Sequence, residues 1–113
     1  MSEKKYTPGP WNANFTRFSR WVVGFHITDP KHGSLRPICE AYDKTGAMNP
    51  DEIAANARLI AAAPELLEAC LAMIEWDDRE NDHAVDFYKR MELCELAFQK
   101  ARAAIAKATG EQA

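Results

Sequence analysis

The residue pattern changes type once, near Lys44-Thr45-Gly46, and that switch limits the fold more than any other feature. From Trp11 to Asp43 the residues are β-branched and aromatic with Gly and Pro punctuation, as strands and turns require. From Pro50 onward Ala, Leu, Glu and Met recur at helical spacing. A chain of 113 residues supports one domain with one modest core. The expectation is therefore a single α+β domain over 1–113, with a β-part at about 11–43, a helical part at about 50–108, and flexible ends at 1–6 and 109–113.

In the β-part, Arg20 to Thr28 reads as a strand, Asp29-Pro30-Lys31-His32-Gly33 as a turn, and Leu35 to Tyr42 as its hairpin partner. A shorter strand at Asn12 to Arg17 completes a three-stranded antiparallel meander. Pro37 has no N–H to give a ladder, so the last strand belongs at an edge or begins after it, and that edge needs a cover.

Asn49-Pro50-Asp51-Glu52 has the order of a helix start: a capping Asn, Pro at the first helical position, then acids facing the positive dipole end. Ile53, Ala57, Ile60 and Ala61 form an apolar stripe. Pro64 would clash with the carbonyl four residues back in a continuous helix, so a break is expected within a residue or two of Ala63. A second helix, Pro64 to Trp76, directs Leu67, Cys70, Leu71 and Ile74 to one side and ends in the run Asp77-Asp78-Arg79-Glu80-Asn81-Asp82. Asn81 or Asp82 then caps a third helix, about His83 to Ala108. Its stripe of Phe87, Met91, Cys94, Phe98, Ala101 and Ile105 predicts a long antiparallel αα-hairpin with the second.

Several functional classes are excluded on residue type. No apolar run approaches the ~20 residues of a membrane helix, and no signal-peptide pattern follows Met1, so a cytoplasmic protein is expected. Cys39, Cys70 and Cys94 suit neither a disulfide framework nor a metal clamp. His26, His32 and His83 share no ligand spacing, and the acids from Asp77 to Asp86 lack the Gly and Glu of a calcium loop. With no nucleophile elbow, phosphate loop or dinucleotide fingerprint, the expectation is a protein that is not an enzyme, with no catalytic residue, metal or cofactor.

The binding candidates lie mainly in the β-part. Residues 1–45 carry seven Lys/Arg against four Asp/Glu, and residues 46–113 carry seven against thirteen. Such poles favour self-association or an anion at the basic half. Arg17, Arg20 and Arg36 lie among Phe15, Phe18, Trp21 and Phe25, an interleaving suited to stacking bases and holding phosphate. A pI near 5.6 speaks against long nucleic acid, whereas a small nucleotide needs only two or three cations. Trp11, delivered by Thr7-Pro8-Gly9-Pro10, is either a core anchor or a pocket wall. Asn56 falls on the stripe of the first helix, where a buried amide would hydrogen-bond the Thr7 to Trp11 turn or read a ligand edge. Arg58 lies about 200° around the helix from Asn56 and is a candidate for meeting an anion across an oligomer interface.

Thr7-Pro8-Gly9-Pro10-Trp11 and Ala55-Asn56-Ala57-Arg58-Leu59-Ile60-Ala61-Ala62-Ala63-Pro64-Glu65-Leu66-Leu67-Glu68-Ala69 together resemble the paired hallmarks of a family of short phage and prophage proteins. The resemblance implies a viral accessory protein and brings no catalytic residue. A small sheet followed by helices is also similar in layout to phage sponge proteins that sequester nucleotide immune signals, such as Thoeris inhibitors, so an anti-defence role is one expectation. Two functions follow for test. One is a homo-oligomeric binder that sequesters a small anionic ligand through Trp11, Arg17, Arg20, Trp21, Arg36, Asn56 and Arg58. The other is an interaction module that blocks a host protein through its acidic helical surface.

Overall fold

The computed structural model describes residues 5–16, 20–26, 35–41 and 49–111; the side chains of His26 and Leu35 are not described. The fold is α+β, with three strands and then three helices among the described residues. Strands β1 (Asn12–Phe15), β2 (Trp21–His26) and β3 (Leu35–Ala41) form an antiparallel sheet in the order β1-β2-β3. The expected meander is present, and β3, which carries Pro37, lies at an edge. The β2–β3 register slips between Val23 and Gly24, where Val23 pairs with Cys39 and Gly24 with Pro37. This bulge leaves Ile38 as the extra residue beside the proline. The turn expected at Asp29 to Gly33 and the pattern switch at Lys44 to Gly46 lie outside the described residues.

Helix α1 (Pro50–Ala61) starts as its sequence dictates. The Asn49 side-chain oxygen accepts from the Asp51 N–H at 2.8 Å, Pro50 opens the first turn, and Asp51 and Glu52 follow. The helix lies on one face of the sheet, where Val23, Ala41, Ala57 and Ala61 form the buried cluster with Trp11, Trp21, Cys39 and Ile53 packed around it. Val23 is the largest fully buried side chain among the described residues.

Pro64 acts as expected: α1 stops at Ala61, and α2 (Ala63–Glu80) begins one residue later through Ala62, which is fully buried. The turn before β1 closes on this junction. A Cβ built on Gly9 would stand 2.8 Å from the Pro64 Cβ, closer than carbon atoms tolerate, so glycine permits the approach. The indole N–H of Trp11 donates to the Thr7 carbonyl at 3.1 Å and holds the turn in shape.

The helical hairpin corrects three expectations. Helix α2 continues four residues past Trp76 to Glu80, because solvent-facing acids cost a helix little and Arg79 complements its last turn. The cap of α3 (Phe87–Thr109) is Asp86, whose side chain accepts from the Tyr88 N–H at 3.2 Å; Asp82 instead closes a turn on the Ala84 N–H at 3.0 Å. The seam is also rotated away from the expected stripes. The buried positions are Pro64 and Ala69 on α2 and Ala97 and Ala104 on α3; Leu67, Cys70, Leu71 and Ile74 of α2, and Phe87, Met91, Phe98 and Ile105 of α3, are exposed, with Cys94 and Ala101 of the expected stripe half-buried. Alanines let two helices approach closely, which displaces larger side chains to the flanks of the seam. At the open end of the hairpin the Lys107 ammonium meets the Glu65 carboxylate at 2.7 Å.

The Gly9 contact generates a prediction. Gly9→Ala should cost about 1–3 kcal/mol through overpacking, seen as a lower urea midpoint at unchanged slope; an unaltered midpoint would show that the turn does not close on Pro64.

Candidate functional site

The residues singled out by sequence separate into two layers. On the helix-facing side of the sheet, the alternation of β2 directs Trp21 and Val23 toward α1. Trp11 flanks the same cluster, half-buried, in the position of a core anchor. The Arg58 guanidinium lies over the Trp21 ring at 5.8 Å, and Phe15 tilts against the same indole at 5.5 Å. Arg58 also packs against the end of α3: a Cβ on Gly110, whose φ is 77°, would come 3.0 Å from the Arg58 Cδ. Gly110 thus has two reasons to be glycine, the left-handed cap and the arginine beside it.

Asn56 corrects an expectation. It is exposed, because the buried line of α1 runs through Ile53, Ala57 and Ala61 at steps of four, and Asn56 lies 100° to one side of Ala57. Helical spacing alone admitted both lines, since both contain Ile53.

On the opposite face of the sheet, Arg20 pairs with Glu40 at 3.3 Å, across a depression of about 610 Å³ bordered by Thr16 and Val22. Arg36 is not part of it. It pairs in register with Phe25, on the same face as Val23, so Arg20 and Arg36 point to opposite sides. Arg17 lies outside the described residues. The structure therefore unites Trp21 with Arg58 and separates both from Arg20.

The larger exposed surface is one that sequence reasoning placed in the interior. One flank of the α2–α3 hairpin carries a hollow of about 130 Å³ lined by Trp76, Glu80, Phe87, Arg90, Met91 and Cys94. Arg90 donates to the Glu80 carbonyl at 2.8 Å and lies 5.9 Å over Phe87. Trp76 tilts against Phe98 at 6.0 Å, with Arg102 over the Phe98 ring at 5.8 Å. The other flank holds a groove of about 280 Å³ between Leu71 and Ala72 of α2 and Leu93 and Leu96 of α3. The sequence signal for this arrangement is the alanine row at 97, 101, 104 and 108, which marks the close-approach line of α3 better than its bulky residues do. Among the described residues, no group of three or more His, Cys, Asp or Glu side chains is placed to hold a metal ion. No helix among them is long and apolar enough to cross a membrane.

The family model for Salmonella phage P22 protein Y8K6 matches residues 1–112. The chain belongs to that family. As a P22 Y8K6 family member it is a phage protein, as expected. No curated protein and no solved structure matches it. What this Y8K6-family chain does must therefore be argued from its own surfaces.

The stacked arginine can be tested directly. Arg58→Ala should lower stability by about 0.5–1 kcal/mol and make tryptophan fluorescence more accessible to acrylamide, whereas Arg58→Lys should retain part of both. Equal quenching in all three proteins would remove Arg58 from the Trp21 face.

Proposed function

We propose that this phage accessory protein is a non-catalytic protein-interaction module whose working surface is the helical hairpin. One observation carries the reading: apart from Pro64 the buried side chains of α2 and α3 are alanines, while Ile74, Phe87, Tyr88, Met91, Phe98 and Ile105 stay exposed. Trp, Phe, Met and Arg are the residue types enriched at the centres of protein interfaces, and Trp76, Phe87, Met91, Phe98, Arg90 and Arg102 share this surface. A monomer that displayed them permanently to water would forfeit most of their burial energy. The acids of α2 border the same surface and supply the charge that orients an approaching partner.

Sequestration of a small anionic ligand such as a signalling nucleotide is a second reading, favoured by the Arg20 depression on the outer sheet face. Its ion pair is about half exposed, a geometry worth ~0–1 kcal/mol, so an anion could compete with Glu40 for Arg20. In either reading the partner is a host-cell molecule, and its capture would serve an anti-defence role.

The two readings separate by photo-crosslinking in host cells, with a crosslinking amino acid placed at Met91 in one protein and at Arg36 in another. The interaction reading expects protein adducts from position 91 well above those from position 36. Absence of any adduct from position 91, together with a rise in melting temperature on adding nucleotides that Arg20→Glu abolishes, would replace it with the ligand reading.

A further inference from the structure

Resting on that reading of the hairpin, we infer that the flank carrying Phe87, Met91, Phe98 and Ile105 is covered by a second copy of this chain, so that two hairpins form a four-helix layer. Measured around α3 from the buried Ala97, these residues lie at +80° to +120°, while on α2 Cys70 and Ile74 lie at +100° and +140° from the buried Ala69. In an antiparallel helix pair, rotation in the same sense from the seam leads to the same flank. The two apolar sets therefore form one surface.

Three observations specify a copy of the chain as the occupant. The first is periodicity. Phe87, Met91, Cys94, Phe98, Ala101 and Ile105 are spaced four, three, four, three and four apart, the alternation by which one helix pairs with another along a continuous seam. Within the chain this line is only partly used: Phe98 meets Trp76 of α2 and Cys94 and Ala101 are half-buried, while Phe87, Met91 and Ile105 stay more than half exposed.

The second is area. Phe87, Met91 and Ile105 are 58%, 54% and 54% exposed, and Ile74 is 60% exposed. With Phe98 they present roughly 500 Å² of apolar surface, at ~150–250 Å² per large side chain. That is well over half of the ~800 Å² per partner of a stable interface, and apolar in the manner of a permanent one. The single chain is also extended: its radius of gyration is 17.6 Å, against about 13 Å for a compact domain of this length. A subunit whose largest fully buried side chain among the described residues is a valine gains from a partner whenever it is folded, and another copy is the partner present from synthesis.

The third is charge. Helix α2 carries six acidic side chains and one arginine, whereas α3 carries five basic and two acidic. A twofold axis parallel to the hairpin lays α2 of each copy against α3 of the other, and the acidic helix then meets the basic one on both sides of the axis. A perpendicular axis would set like against like.

The full chain at about 100 µM, a concentration chosen to populate micromolar association, should show a mass of twice 12.7 kDa by sedimentation equilibrium. Met91→Glu with Ile105→Glu should weaken the dimer at least tenfold with helical circular dichroism retained, because both side chains are outside the intrachain seam. Leu96→Glu, on the opposite flank, should leave dimerisation within twofold of the parent. The purified protein carrying the crosslinker at position 91 should yield a two-chain adduct, which keeps the test informative if the double variant fails to fold. A single-chain mass together with no two-chain adduct would overturn self-association. Adducts of other masses in cells would then preserve the hairpin as an interaction surface for a different protein, whereas no adducts anywhere would remove that reading as well.

Discussion

The junction at Pro64 is the constraint on which the rest of the structure depends. A proline ring inside a continuous helix would collide with the carbonyl four residues earlier, so α1 ends at Ala61 and α2 departs after one buried alanine. That break lets α1 lie flat on the sheet while the hairpin projects away from it. The same proline is the surface against which Gly9 closes the turn before β1. The Thr7 to Trp11 turn and the α1–α2 junction therefore touch, and a sequence separation of more than fifty residues is bridged by one close approach.

Residue size then divides the molecule. At the sheet, Val23 and the alanines of α1 allow a thin, tight layer, with Trp11 and Trp21 as its rim and Arg58 laid over Trp21. At the hairpin, alanines again occupy the contact line, and the bulky apolar residues are pushed outward. A core built from small side chains gains little burial energy per residue, and Phe87, Met91 and Ile105 stay more than half exposed on the hairpin. The geometry thereby shifts attention from the arginines of the β-part, two of which point to opposite faces of the sheet, to the flanks of the hairpin.

Much of the architecture was legible because its signals are local. The meander, the edge position of the Pro37 strand, the Asn49 cap and the break beside Ala63 each follow from the backbone limits of a few neighbouring residues. The candidate site was less legible. Trp11 packs at the core rim, but Asn56 is exposed and the third-helix stripe meets the seam only along one edge. Each miss has the same origin: a periodic stripe specifies that a face is apolar and leaves open which of two adjacent faces meets the neighbour.

The sequence by itself determined where strands and helices lie and where the chain must break, since proline geometry, capping and the two- and 3.6-residue periods act within a few bonds. The tertiary structure alone decided which faces are spent inside the chain. That choice follows from how closely two backbones can approach, and the alanines at 69, 97 and 104 settled it in favour of proximity over bulk, leaving Phe87, Met91 and Ile105 exposed.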